Sequence, residues 1–536
     1  MKKFSIVVLL IVTLTIFTSC DWLFGEHEPE QNTYPTNNNP PVFKTQKFWA
    51  MDMSNNGTGF YQLDAECLAY NAYCEVWVEK KSGMFAVTKA QAESIANEYA
   101  NKIYGKLIDY FGWTGIINGV LMNTIQCADF LGDKNGRLII LLLDIQDGFD
   151  GTGGYVAGYF DQNMFLEDNV HPFPNGTKLR SNQCDMIFMD TYPSLDPAAW
   201  DVPNRPSMDY LMKEFYATMA HETQHLMNFV SSFVIRGGGS EVKSMDLWIN
   251  EGLSSAAEYV YSGQVSQERI AHYNSENTGI ENGDNFYVWD DGNLNEYATV
   301  SIFFQWLRVH WGQYIYQHIS LSEKTDYNAI TDLDLFNGNS YNWPSLFTYW
   351  HAANYVQHSS YVVGYKNEFP LNAIKANFVK GNSNTISLLP GEAVYSYSAS
   401  GRSLPADHST IWYYGLSNTG LDDVKVPANG ALLTFNRNTN INGNPVSATV
   451  TGAQPPNANI NLNLNYLNTE NKPRIYRIDS GSILRSLSEF DASLSKPVVY
   501  TEDIAPVFLN DITVKTQALS PVNEVINIRL NKGLND

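Results

Sequence analysis

The segment His221-Glu222-Thr223-Gln224-His225 sets two imidazoles four residues apart, with a carboxylate directly after the first. On an α-helix that spacing puts both rings on one face, one turn above the other. Two imidazoles so placed can take one metal ion from the same side. Glu222 can then lean over water held there and act as a general base, the arrangement of the H-E-x-x-H motif. The flanking residues favour a helix, because Leu211, Phe215, Met219, Leu226 and Phe229 form a core-facing stripe. The bland alternative is a pair of helical histidines that only pack or hydrogen-bond. A suitable third ligand would weigh against it.

The residues after the motif separate the known site types. Leu226 to Ser231 offers neither the glycine nor the third histidine of the metzincin pattern, and no third aspartate in a Gly-Thr motif comes next. Instead the chain reads Trp248-Ile249-Asn250-Glu251-Gly252-Leu253-Ser254. Asn-Glu-Gly opening a helix downstream of H-E-x-x-H resembles the gluzincins. With His-Glu-Thr-Gln-His-Leu-Met at 221–227, and Tyr297 opening the stretch Tyr-Ala-Thr-Val-Ser-Ile-Phe-Phe-Gln-Trp-Leu, the region from about 60 to 360 is similar to the hyicolysin family of gluzincin peptidases. Only the first two motifs are specific.

That resemblance implies an α+β zincin-like catalytic domain, a twisted sheet over the helices that present the metal. It implies Zn²⁺ held by His221, His225 and Glu251, with Glu222 as the general base of peptide hydrolysis on a peptide or protein substrate. A zinc ion there would activate water and polarise the scissile carbonyl. Glu258, two turns beyond Glu251 on the same face, is the competing carboxylate. In thermolysin-like members an Asp four residues after the ligand orients a His; Ser255 stands there in this chain, and Glu258 is the group that could substitute. Tyr297 is the candidate oxyanion donor, since gluzincins often use a Tyr or His. Against it stands a plain buried aromatic, and His310, His318 and His351 are the alternatives. Gly154 to Phe160 is the candidate edge strand for an extended substrate.

Several elements must position these groups. Lys47 to Glu79 alternates like strands. Val87 to Phe111 has the helical spacing Ile95, Tyr99, Ile103, Leu107, Phe111. Arg137 to Leu143 is a continuous apolar run, as in a strand buried on both faces. Asp185 to Asp190 reads as another strand. Helices are expected at Ser207 to Ser232, with an N-cap at Ser207, and at Met245 to Tyr261, Glu296 to Trp311 and Pro344 to Val356. After about residue 383 short alternating runs broken by Asn, Gly, Ser and Pro predict an all-β, sandwich-like domain over 384–536. The catalytic domain is then 46–383. Asp144, Asp147 and Asp150 match no EF-hand spacing and read as a solvated acidic loop.

The N-terminus is a targeting segment. Lys2 and Lys3 precede a short apolar run from Ser5 to Ile16, which ends in Phe17-Thr18-Ser19-Cys20. This resembles a lipobox, with Phe17 where an aliphatic residue is commonest. Residues 1–20 are read as a lipoprotein signal with Cys20 as the lipidated residue. Residues 21–45 are read as a flexible tether, rich in Pro, Asn and Glu between Glu26 and Pro41. The expected location is the bacterial cell envelope, on its periplasmic or surface side, with the lipid anchor in the membrane. Of the 5 cysteines the remaining four are Cys67, Cys74, Cys127 and Cys184. An exported compartment permits disulfides, and the spacing favours Cys67–Cys74 with Cys127–Cys184.

The 536 residues suffice for a large core, and 56 acidic against 34 basic residues give a net charge of -22. That balance argues against nucleic acid as a partner. Two readings compete with a peptidase. One is a surface adhesin or binding protein that keeps a zincin scaffold and works through its β domain. The other is a zinc hydrolase of some different substrate, since a metal site does not read its substrate.

Overall fold

A computed structural model describes residues 39–450, apart from 56–58, 118–119, 133–134, 152–153, 171–177, 201–204, 239–240, 276–277, 284–285, 288–293, 334–341, 380–384, 407–408 and 441–442. Cys20, the signal segment, the tether up to residue 38 and positions 451–536 of the expected β domain lie outside the described residues. No helix among the described residues is long and apolar enough to cross a membrane.

Mixed α and β structure builds the chain. Strands β1 (Thr45–Asp52), β2 (Gly59–Tyr70) and β3 (Cys74–Lys81) form an antiparallel meander. Strand β4 (Leu138–Leu143) then joins β3 in parallel. Strand β5 (Gly158–Tyr159) lies antiparallel on β6 (Met186–Asp190), which pairs in parallel with β4. The order across the sheet is β1-β2-β3-β4-β6-β5, with Met84–Phe85 paired beside β3. The run Leu-Ile-Ile-Leu-Leu-Leu of β4 is buried throughout, as a strand between two covered faces must be. On one face Ile139, Leu141 and Leu143 join Phe48, Trp77, Tyr159 and Phe188 in a common core. The intervening residues face the other way, toward the helices.

On that second face α1 (Lys89–Glu98) packs on β2 and β3, and a π-type turn at Tyr99–Ile103 leads into α2 (Tyr104–Phe111). The single helix expected over Val87 to Phe111 is thus interrupted by one wide turn. Helix α3 (Met208–Ser231) runs beneath β5 and β6. Gly158 makes that approach possible, because a Cβ there would lie 3.0 Å from the Thr218 methyl and 2.9 Å from the Phe188 carbonyl. Helices α4 (Leu247–Ser262), α5 (Gln267–Asn274), α6 (Asn295–Trp311) and α7 (Trp343–Val356) come after it.

Strands β7 (Ala393–Ser398), β8 (Ile411–Ser417) and β9 (Gly430–Asn436) form most of a four-stranded antiparallel sheet. One face of it shares a core of Leu388, Val394, Ile411, Leu432 and Ala448 with shorter strands. The other meets α7, where Phe435 lies 5.5 Å from Phe347 between ring centres.

Two expectations are corrected. Cys67, Cys74, Cys127 and Cys184 are thiols, not the pairs Cys67–Cys74 and Cys127–Cys184. The β2–β3 register sets Cys67 opposite Trp77, and a bulge comes directly after it. Cys67 packs on the sheet core while Cys74 turns to the opposite side, near the Ala96 carbonyl of α1. Burial pushes the Cys67 and Cys127 thiols up to about 12, which keeps them protonated and unreactive. The stretch Gly154 to Phe160 supplies the edge strand at that end of the sheet only over Gly158–Tyr159. The Ala157 carbonyl also accepts the Asp190 amide at 3.1 Å, and Tyr155 to Phe160 are buried, with Phe160 packed near Phe229 of α3.

Candidate metal centre

Helix α3 begins where Ser207 accepts the Tyr210 amide at 3.2 Å, with Asp209 in the first turn to complement the helix dipole. From Thr218 onward every residue of the helix is buried. His221 and His225 therefore project into protein, with ring centres 4.8 Å apart. Helix α4 crosses beside them and is laced to α3 below the site, where Asn228 donates to Asn250 at 2.5 Å. Gly252 lets α4 sit flush on α6, since a Cβ there would fall 2.1 Å from the Phe304 ring.

This crossing brings the Glu251 carboxylate to both imidazoles. His221 Nε2 is 3.4 Å from Glu251 Oε2, and His225 Nε2 is 3.6 Å from Glu251 Oε1. These separations exceed the ~2.9 Å of a good N–H···O bond. Each imidazole thus faces a different oxygen of one carboxylate, close enough for an ion ~2.0–2.2 Å from each ligand atom to lie between them. Two imidazole nitrogens and one carboxylate also suit a borderline cation such as zinc. Among the described residues, His221, His225 and Glu251 form the group able to hold a metal, all three buried, with ligand atoms within 4.8 Å of one another. Glu222 is buried as well.

The outer nitrogens are also engaged. His221 Nδ1 is 2.8 Å from Glu258 Oε1, so Glu258 contacts the far side of the ring. An ionised carboxylate only accepts, so Nδ1 donates to Glu258, and Nε2 is the nitrogen left to face Glu251. His225 Nδ1 is 3.0 Å from Ser254 Oγ, and Ser254 donates its proton to Gln224 Oε1 at 2.6 Å. With that proton committed, Ser254 accepts from His225 Nδ1, and His225 Nε2 is likewise left to face Glu251. Ser255, at the expected Asp position, is buried with its hydroxyl unpaired.

Tyr297, at the start of α6, is buried, and the Arg269 guanidinium stands over its ring at 5.2 Å. Arg269 in turn lies 3.4 Å from Glu258 Oε1. Two of the alternatives to Tyr297 have other work. His310 donates to the Gly364 carbonyl at 2.8 Å, and His351 is buried against Trp350 and Phe435. His318 lies half-buried on the short helix Ile315–Ser320. The acidic loop is structural in part. Asp147 accepts the amides of Phe149 and Val156, and Asp144 pairs with Lys81.

Sequence reasoning missed Ser254 and Arg269. Ser254 had a signal, since it lies three residues after Glu251 and so on nearly the same face. Arg269 had none. It reaches the site because Gly263, at φ 67°, ends α4 in the left-handed conformation and the chain turns back into α5, capped by Ser266.

No family model matches the chain. The chain is similar to the neutral metalloprotease ShpI of Staphylococcus hyicus, 29% identical over 272 residues, which is 50% of this chain and 52% of that protein. The chain thus spans about half the length of that relative.

Proposed function

We propose that this chain is a zinc-dependent endopeptidase of the gluzincin type, acting on peptide or protein substrates. The observation that carries the reading is the convergence of His221 Nε2, His225 Nε2 and the Glu251 carboxylate in one buried cluster, with Glu222 directly after the first histidine. The similarity to a neutral metalloprotease supports the coarser part of the reading, a metal-dependent protease. A mixed sheet packed on α3, with α4 against the same helix, is the layout that a zincin-like fold would need.

In this reading His221, His225 and Glu251 would hold the ion. Bound zinc would supply Lewis acidity, lowering the pKa of water and polarising the scissile carbonyl. Glu222 accepts the proton of the attacking water and later delivers it to the leaving amine. Tyr297 offers a hydroxyl to the oxyanion that forms as the carbonyl is attacked. Glu258 and Ser254 hold the two imidazoles in the tautomer that ligation needs. The Cys20 signal and the tether after it extend the proposal to an enzyme anchored by lipid in the bacterial envelope.

The test is metal content together with hydrolysis. Purified protein should hold one zinc per chain, cleave an unstructured protein such as casein, lose cleavage to a chelator and regain it with zinc. Cleavage that survives complete metal removal would overturn the reading.

A further inference from the structure

Helix α5 touches the metal centre at one end and the C-terminal half of the chain at the other. At its N-terminal end, Arg269 Nη2 lies 3.4 Å from Glu258 Oε1, the same oxygen that stands 2.8 Å from His221 Nδ1. Both side chains of this pair are only 12% exposed. The guanidinium also covers the ring of Tyr297. At the other end Asn274 donates to the Ala373 carbonyl at 2.8 Å and accepts the Lys375 amide at 2.9 Å. The Tyr273 hydroxyl accepts from Asn354 of α7 at 3.2 Å.

An exposed Arg–Glu pair would be worth little. This one differs in two respects. It is shielded from water, so its Coulomb attraction is less screened. Its acceptor oxygen is also the group that fixes the outer nitrogen of a candidate ligand. A carboxylate held by one partner can swing about its own torsions, whereas one set between an imidazole N–H and a guanidinium cannot do so without losing an ion-pair contact.

We propose that Arg269, acting through Glu258, is a positioning residue for the ligand His221 and couples that ligand to Tyr297. The proposal rests on the metal-centre reading above. Glu258 orients the His221 ring and raises its basicity. Arg269 holds Glu258 in place, and the rigid seat of α5 on the C-terminal half fixes Arg269. No bond to the ion passes through either residue.

The experiment is a competition titration of zinc on the full chain against a chromophoric chelator, with the absorption spectrum of the Co²⁺-loaded protein and the melting temperature of the metal-free form. Wild type is measured beside Glu258→Gln, Arg269→Met, Arg269→Lys and the Glu258→Gln/Arg269→Met double variant. Glu258→Gln should weaken zinc binding about 10- to 100-fold, the usual effect of losing an outer partner of a ligating His. Arg269→Met should weaken it by a smaller factor and shift the cobalt bands, and Arg269→Lys should recover part of the loss. The double variant should be no weaker than Glu258→Gln alone, because Arg269 acts only through Glu258. Affinities and cobalt spectra of Glu258→Gln and Arg269→Met that match wild type within twofold overturn the proposal and leave the metal centre standing. A wild type that takes up no zinc overturns both. Should Arg269→Met fail to fold, Arg269→Lys and Glu258→Gln carry the comparison, and an unchanged pair has the same overturning force.

Discussion

Glu258 Oε1 lies 2.8 Å from His221 Nδ1, while the other nitrogen of that ring faces Glu251 at 3.4 Å. Two carboxylates seven residues apart on α4 thus hold one imidazole from both sides. Seven residues is close to two helical turns, so both project from the same face and the ring fits between them. Ser255, four residues after Glu251, points its hydroxyl into a buried position and makes no such contact. The support that a shorter spacing would supply comes from one turn further along.

His225 is held more weakly, by a neutral hydroxyl. Replacing Ser254 by Ala leaves the Nδ1–H of a buried imidazole without its acceptor, a loss of about 1–3 kcal/mol. Zinc affinity should fall by about tenfold, at the lower end for an outer partner because no charge is removed. A competition titration of the Ser254→Ala variant measures this, and an affinity equal to wild type would refute the tautomer assignment at His225.

Gly252 separates helix propensity from packing. In a helix interior Gly→Ala gains about 1 kcal/mol. Here the added methyl would enter the ring of Phe304, itself buried, at 2.1 Å. Overpacking of that kind costs about 1–3 kcal/mol or more. The clash should therefore win: Gly252→Ala should lower the denaturation midpoint and weaken metal binding, because Glu251 is the adjacent residue. A variant more stable than wild type would show that α4 does not sit flush on α6.

Acid should loosen the contact between α7 and the C-terminal strands. Burial pushes the His351 imidazole down to about 3, so it stays neutral in the folded chain. The unfolded chain binds a proton there near pH ~6.5. The folded value is depressed, so this stability is complete above pH ~6.5 and is lost as pH falls toward 3, by on the order of 1 kcal/mol per unit. His351→Phe keeps a ring beside Trp350 and Phe435 and removes the titration. Urea midpoints measured from about pH 7.5 to about pH 4.5 should fall less steeply for the variant than for wild type. Parallel curves would mean that His351 is protonated in the folded state.

Features set by local spacing could be read from the sequence, and features set by register or chain reversal could not. The 221–225 motif lies within one helix, and both rings share a face as ~3.6 residues per turn requires. Glu251 and Glu258 share a face for the same reason. Which one approaches the ligand nitrogens depends on how α4 crosses α3, and that depends on Gly252 and the Asn228–Asn250 bond. The Cys67–Cys74 pairing looked natural from spacing but failed because a strand alternates faces and a bulge shifts the register. Gly154 to Phe160 had the composition of a strand, yet only Ala157 to Tyr159 bonds to β6, and Tyr155 packs against Trp200. Arg269 depended on the left-handed Gly263, which reverses the chain well beyond either motif.

The most direct measurement compares wild type with Glu222→Gln in the same assay, with zinc content determined for both. The substitution keeps the shape of a buried side chain that is not a ligand and removes its capacity to take a proton. The expected result is equal zinc content and a loss of peptide cleavage of about 10²- to 10⁴-fold, the range for a general base. Equal cleavage by the two proteins, or a wild type without bound metal, would contradict the assignment of this site as a peptidase centre.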